Sequence, residues 1–290
     1  MPELPEVEVT RLSIAPSLRG SIVLQAHLGK PLRWPLGCRT GHLVGRHVGD
    51  TQRRGKYLWI PLGPRPGRRA DDAGGLLLHL GMSGSLQWVG VGSSQAGPAG
   101  PLDPPGKHDH FDLVTTQGTL RLHDPRRFGA VVWSDALASD PAAKLLQRLG
   151  PEPFDPALDD AAFHARLRAR RSAIKQVLLS GDAVVGAGNI YACEALFAAG
   201  IDPRTPACRI SRARAARLLA AVRHTLSRAM AVGGTTLRDF RDAHGMSGEF
   251  QNEAQVYGRE AQPCHHCGTP IRRLVQAQRA TYYCPMCQKR

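Results

Sequence analysis

The sequence predicts an α+β chain of several domains, on three observations. Between about residues 20 and 133, short apolar or alternating runs are punctuated by Gly and Pro clusters, the mark of antiparallel strands. Over 156–231 the apolar residues recur at helical spacing instead. Four of the seven cysteines then close the chain as two C-x-x-C pairs. The expected architecture is an N-terminal antiparallel β-sandwich or barrel with a helix in front of it, a helical domain, and a C-terminal metal-binding hairpin with four cysteine ligands. The 290 residues suffice for such cores. The expected boundaries are 1–137 for the sandwich, 138–155 for a proline-rich linker, 156–260 for the helical domain and 261–290 for the ribbon.

Composition narrows the partner. With 38 Lys and Arg against 24 Asp and Glu, the formal net charge is +14. An excess of this size points to a polyanion, most often nucleic acid. A GC-rich genome would explain Arg over Lys but does not require a positive total. The first residues are acidic and broken by proline, unlike a signal peptide, and no apolar run is long enough to span a bilayer. The expectation is a soluble cytoplasmic protein without a membrane partner. Cys38, Cys193 and Cys208 are scattered, so the clustered four read as metal ligands rather than disulfides.

The chain begins Met1-Pro2-Glu3-Leu4-Pro5-Glu6. If Met1 is removed, Pro2 becomes a free secondary amine. An α-amine titrates near ~7.7–8.0, against ~10.4 for lysine, so a useful fraction of it is unprotonated and nucleophilic at neutral pH. Attack on an electrophilic carbon gives an iminium ion, which is cationic at any pH and acts as an electron sink. Glu3 and Glu6 supply carboxylates beside it, one as general acid and one to position the amine. Alone, the same residues equally suit a proline and acids in the first turn of a helix. That helix is expected from Pro5 to about Leu18.

Strands are expected over 21–28, 42–48, 57–62, 75–80, 110–115 and 130–133. Two long loops, 63–74 and 90–107, are expected as flexible surface excursions. Three pieces stand out. Arg53-Arg54-Gly55-Lys56-Tyr57 is a cationic cluster at a strand entrance. His79-Leu80-Gly81-Met82-Ser83-Gly84 is a tight turn exposing Met82. Asp124-Pro125-Arg126-Arg127-Phe128-Gly129 presents two arginines and an aromatic. Met82 and Phe128 would fill the gap left by an unstacked base, with one of the two arginines bonding the widowed partner; alternatively they cap the sandwich core and the arginines are solvated.

In the helical region, helices are expected over 159–170 and 172–179. A further helix runs to Ala199, and Ser211 caps a long one with Leu218, Leu219, Val222, Leu226 and Met230 on one face. Its opposite face carries Arg212, Arg214, Arg217, Arg223 and Arg228, expected in solvent. Gly186-Ala187-Gly188-Asn189 would let backbone approach a phosphate, with Asn189 as an added donor, or it serves only helix packing. Residues 233–260 are polar, glycine-containing and aperiodic, as a mobile lid over a bound base would be.

Cys264, Cys267, Cys284 and Cys287 have the spacing of a structural zinc ribbon holding one Zn2+. A redox role would need only one C-x-x-C. His265 or His266 is an alternative ligand, less suited than four thiolates. Between the knuckles lie Arg272, Arg273, Gln276, Gln278, Arg279 and Thr281. A hairpin with Arg279 near its tip would enter a groove and hold phosphate, unless the ribbon only caps the fold.

Taken in order, Pro2-Glu3-Leu4-Pro5-Glu6, Lys56, the HLGMSG turn, KHDH at 107–110, DPRRFG, GNIYA and the terminal ribbon closely resemble the bacterial formamidopyrimidine-DNA glycosylases, which repair 8-oxoguanine. The resemblance covers nearly the whole chain except the two long loops. It implies a sandwich, a helix–two-turn–helix domain and a zinc finger, with double-stranded DNA containing oxidised bases in the cleft between. It implies a monomer acting in the bacterial cytoplasm at the nucleoid. It further implies that Pro2 displaces the base at C1′ and forms a Schiff base, and that Glu3 protonates the sugar ring oxygen. β- and δ-elimination follow, with Lys56 transferring a proton and Arg279 gripping phosphates. Met82, Arg126 and Phe128 match the intercalating triad. His108, Arg127, Arg170 and Asn189 match DNA-contacting positions. Cys193 departs from the small hydroxyl residue often found after GNIYA. Two alternatives stand beside this reading. An endonuclease VIII-like glycosylase for oxidised pyrimidines typically begins Pro-Glu-Gly-Pro-Glu, and Leu4 occupies that glycine position. A non-catalytic zinc-ribbon DNA-binding protein would explain the charge and the cysteines, but not Pro2-Glu3 with Lys56.

Overall fold

Glu3 opens the first helix, α1 (Leu4–Leu18), as its N-cap in extended conformation. Proline in the first turn costs no hydrogen bond there, and Glu6 Oε2 accepts the Glu3 N–H at 2.8 Å. In this computed structural model, residues 2–90, 104–235 and 242–290 are described. They group into two compact units, 1–147 with 233–249, and 148–232 with 250–290.

The first unit is an antiparallel sandwich. One sheet is ordered β1 (Val23–Leu28), β6 (Asp109–Thr115), β7 (Gly118–His123), β5 (Ser85–Gly90). The other is ordered β2 (Gln52–Arg54), β3 (Tyr57–Leu62), β4 (Gly74–His79), β8 (Ala130–Ser134). Leu58, Ile60, Leu76 and Leu78 join Leu86, Phe111, Leu113, Leu120 and Leu122 in one buried cluster, which α1 closes with Val7, Ile14 and Leu18. Removing apolar surface of this kind from water supplies most of the folding free energy. Gly74 and Gly75 make room for two indoles. A Cβ on Gly75 would lie 2.4 Å from Trp59, and one on Gly74 2.3 Å from Trp133. Asp112 and Arg121, cross-strand neighbours on β6 and β7, form a buried two-pronged ion pair at 2.7 and 2.8 Å.

Two expectations for this unit are corrected. Residues 42–48 form no strand; the chain makes a 3-10 turn at Thr40–His42 and only isolated bridges, Ile22 with His47 and Val48 with Leu62. The cause is Arg46, fully buried where an edge strand would put it in solvent. Its guanidinium donates to the His42 and Gly63 carbonyls at 2.8 and 2.9 Å and lies 4.7 Å over the Trp133 ring. It also pairs with Asp72 at 3.2 Å. That anchor contradicts a floppy 63–74 loop: Arg65 grips the same Asp72 at 2.7 and 3.1 Å, and the segment includes a 3-10 turn at Ala70–Asp72. Most of the other long loop, 91–103, lies outside the described residues. β2, β5 and β7 were not anticipated, because β2 is short and polar and the latter two sit between turn-like residues.

Residues 233–235 and 242–249 pack with the sandwich rather than with the helical domain in which 156–260 was expected to fold. Thr235 bridges Glu249, Ala243 joins the sandwich core, and the Trp88 N–H donates to the Ala243 carbonyl at 2.9 Å. Residues 236–241 of the expected lid lie outside the described residues.

After a short helix, α2 (Ala142–Leu146), the second unit carries four helices and a hairpin. Asp159 caps α3 (Asp160–Arg168), and Ser211 caps α6 (Arg212–Ala231). Between them run α4 (Ile174–Ser180) and α5 (Asn189–Ala198). The arginine face of α6 is not simply solvated. Arg223 donates to the Pro153 and Leu158 carbonyls at 2.6 and 2.7 Å, Arg214 to that of Lys289, and Arg228 pairs with Glu253. The hairpin pairs β9 (Arg272–Gln276) with β10 (Arg279–Tyr283). Among the described residues, no helix is long and apolar enough to cross a membrane.

Candidate active site and nucleic-acid interface

The sandwich unit gathers the predicted catalytic end. Pro2 and Glu3 are buried at the head of α1, Glu3 to 2 % exposure. Lys56 lies on the two-residue turn between β2 and β3, whose first residue, Gly55, has φ +58°. Glycine meets that φ without strain. Arg53 fastens this turn to the helix: its Nε donates to Glu8 Oε2 at 3.0 Å and its Nη1 to the Gly55 carbonyl at 3.0 Å. Burial pushes the Glu8 carboxyl up, but the hydrogen bonds and charges of Arg11 and Arg53 outweigh it and leave its pKa lowered. The cationic cluster at 53–57 is therefore partly a structural brace, with Lys56 beyond it.

Lys56 is also felt by His79, which lies shortly before Met82 at the entrance to its turn. Burial, then the charges of Lys56 and Arg33, lower the His79 pKa to about 4, so its ring is neutral at pH 7. Its Nδ1 accepts the Gly81 N–H at 3.0 Å, which orients the turn.

The two turns that carry Met82, Arg126 and Phe128 come together. Met82 and Phe128 are 40 % and 45 % exposed, not core caps, and the Arg126 guanidinium lies 4.8 Å over the Phe128 ring. Exposing large apolar groups costs free energy unless something covers them. The two turns touch so closely that a Cβ on Gly81 (φ +63°) would meet Phe128 backbone at 2.5 Å. Fully buried Asp124 holds them together, accepting from Ser83 Oγ, Gly129 N–H and Arg126 N–H at 2.9, 2.7 and 3.2 Å. Arg127 sits at left-handed φ 56°. His108 follows nearby, its carbonyl accepting the Asp124 N–H at 2.8 Å and its ring 5.8 Å from that of His123. His123 Nδ1 lies 2.8 Å from Asp109 Oδ1.

In the second unit, Arg170 is exposed and paired with Asp182 at 2.5 Å. Asn189 opens α5, but its amide is engaged rather than presented: Nδ2 donates to the Ala280 carbonyl and Tyr257 hydroxyl at 3.0 and 3.2 Å. Its Oδ1 accepts from Lys175 Nζ at 2.7 Å. Lys175 is wholly buried and also donates to Thr281 Oγ1 and the Ala280 carbonyl at 2.6 and 3.0 Å. It thus ties the start of α5 to β10 beside Arg279. A buried ammonium is tolerated only when its protons are all matched. Sequence reading passed over Lys175; its place among Ile174, Val177 and Leu178 on a buried helix face was the available signal. It also gave Asp124 and Tyr257 no part.

Arg279 is exposed at the start of β10, just after Ala277 and Gln278, both left-handed at φ 46° and 59°. Two non-glycine residues in that region store strain, which a packed hairpin must hold. In the same module the four cysteines converge. Their Sγ atoms all lie within 4.8 Å of one another, with Cys264–Cys287 at 3.9 Å and Cys267–Cys284 at 3.5 Å. Tetrahedral Zn–S bonds of about 2.3 Å put sulfurs about 3.8 Å apart, so the donor set fits one structural zinc. Cys193 and Phe197 pack under the knuckles, so the cysteine after GNIYA is a buried apolar contact here.

Three family models match the chain: the formamidopyrimidine-DNA glycosylase N-terminal domain over 1–131, the formamidopyrimidine-DNA glycosylase H2TH domain over 149–241, and the zinc finger found in FPG and IleRS over 261–290. The chain is 56 % identical to a formamidopyrimidine-DNA glycosylase of Albidiferax ferrireducens, covering 100 % of both. It is similar to the MutM (FPG) protein of Thermus thermophilus, at TM-score 0.84 and 37 % identity over 99 % of this chain and 98 % of that one. It is also similar to a Lactococcus lactis FPG variant crystallised with a Fapy-dG containing DNA, at TM-score 0.85 and 30 % identity over 100 % of each.

Proposed function

The chain belongs to the formamidopyrimidine-DNA glycosylase family, and from that membership we propose that it is a base-excision repair enzyme that removes oxidised purines from double-stranded DNA and then cuts the strand. One observation carries the residue assignment: Pro2 and Glu3 lie buried at the head of α1, with the Lys56 turn braced to that helix through Arg53.

Once Met1 is removed, the Pro2 amine attacks C1′ of a flipped nucleotide and the damaged base leaves. Glu3 protonates the ring oxygen, so the sugar opens to an iminium on Pro2. Loss of the C2′ proton expels the 3′ phosphate, with Lys56 transferring the proton. A second elimination expels the 5′ phosphate, with Arg279 holding the phosphates. Met82 and Phe128 fill the vacated stack while Arg126 faces the orphaned base. His108, Arg127, Arg170 and Asn189 hold the backbone, Asn189 through its place at the start of α5. The zinc carries no step; when bound it fixes the hairpin bearing Arg279. The activity belongs to the cytoplasm, at the nucleoid, and the monomer is the working unit.

The test is borohydride reduction of the enzyme with a duplex carrying 8-oxoguanine opposite cytosine, followed by digestion and mass spectrometry. A cross-link on Pro2 is expected. An adduct only with oxidised pyrimidines would overturn the substrate class, and none with either would overturn the catalytic reading.

A further inference from the structure

Glu6 has more partners than a helix cap needs. It is 2 % exposed. Its Oε2 accepts the Glu3 N–H at 2.8 Å, and its Oε1 accepts the Thr235 N–H, 229 positions away in sequence, also at 2.8 Å. Capping α1 requires only the first of these. The second depends on a backbone made to fit. Gly234 has φ +84°, and a Cβ there would lie 2.9 Å from Glu6 Oε1. Gly248, on the chain facing it, has no room for a Cβ either, since one would lie 2.2 Å from the Gly234 carbonyl oxygen. Thr235 is itself held by its bridge to Glu249. Two glycines and a bridge thus converge on a single hydrogen bond to one carboxylate oxygen.

A carboxylate whose two oxygens are each held by a fixed N–H has its plane and position set. Glu6 then sets where the Glu3 N–H sits, and with it how Pro2 and the Glu3 side chain leave the helix. We propose that Glu6 is a positioning residue for the Pro2–Glu3 terminus, held in register by the backbone of Gly234 and Thr235. The inference rests on the function proposed above.

Two substitutions test it. Glu6→Gln keeps the shape but offers one acceptor oxygen and one NH2, so one of the two N–H groups must face a donor. Gly234→Ala leaves every ionisable group in place, but its Cβ, 2.9 Å from Glu6 Oε1 on a backbone at φ +84°, pushes the Glu6 carboxylate and the Thr235 N–H apart. Single-turnover excision of 8-oxoguanine is measured for both and for the double variant, with duplex affinity measured separately. Each single variant is expected to be slower by about ten- to a hundredfold, the order for a displaced reacting group, with affinity unchanged. The double variant is expected to be no slower than the worse single one, because both break one linkage; independent damage would multiply. Hydrogen exchange of the Thr235 amide is measured in Gly234→Ala, where that contact is displaced, and is expected to accelerate.

Wild-type excision in either variant, multiplicative loss in the double, or unchanged Thr235 exchange would each overturn the proposal. Loss of affinity in step with rate would make Glu6 a folding residue and overturn it as well. If the wild type itself forms no reducible adduct, the proposed function fails instead, and the two failures are distinct.

Discussion

Ser83 donates to Asp124 at 2.9 Å, fastening the turn that carries Met82 to the turn that carries Arg126 and Phe128. The two turns are thus one unit built from loops 41 residues apart, joined through a buried carboxylate.

Asp124→Asn should loosen it. The new NH2 would face either the Arg126 N–H or the Gly129 N–H, leaving a backbone donor without its acceptor. The expected cost is about 1–3 kcal/mol in urea unfolding. Extrusion of a fluorescent base analogue beside the lesion should slow as well. Unchanged stability and extrusion together would show that the two turns hold themselves.

In the proposed reaction the chemistry divides between two neighbours. Pro2→Gly should slow excision but retain an amine, whereas Glu3→Gln should abolish it by removing a proton donor worth about 10²–10⁴-fold. Neither should change duplex affinity by gel shift. Wild-type rates in Glu3→Gln would take that residue out of the mechanism.

Cys284→Ser should release the metal, since three thiolates and a hydroxyl hold zinc poorly. Structural zinc contributes on the order of 10 kcal/mol to folding of its module. A zinc-sensitive dye should report release, and DNA binding should fall while the sandwich keeps its thermal transition. Full affinity in zinc-free protein would exclude the hairpin from DNA recognition.

His79 makes stability depend on pH. Burial and the Lys56 charge lower its folded pKa from 6.5 to about 4, so the unfolded chain binds a proton that the folded chain refuses. The stability this ring contributes is complete above pH 6.5 and is lost as pH falls from there through about 4. Melting temperature should therefore drop more steeply over that window in the wild type than in His79→Asn, which keeps an acceptor for the Gly81 N–H. Parallel profiles would remove His79 from the acid response.

Much of the fold was legible. The β3 bounds, the Ser211 cap and the four-cysteine cluster follow from local pattern: alternation, a hydroxyl before a helix, and paired thiols at knuckle spacing. Residues 42–48 were misread because alternation there looks like a strand. Arg46 instead turns inward, and a buried guanidinium held by carbonyls, a carboxylate and an indole looks in sequence like any surface arginine. The 63–74 loop was misread for the same reason, as its Gly and Pro content says nothing of Asp72 meeting Arg46 and Arg65.

By itself, then, the sequence determined many of the parts: the strands β1, β3, β4, β6 and β8, the helices, the cysteines that meet a metal, and the turn residues that reach solvent. These depend on interactions within a few residues and on side-chain chemistry. The tertiary structure decided the couplings, Glu6 to Thr235, Asp124 to Ser83, Lys175 to Thr281 and Arg46 to Asp72. Each joins distant positions through a buried polar group. Such a group is stable only where the folded backbone brings its partner within hydrogen-bond reach, and no local pattern records that distance.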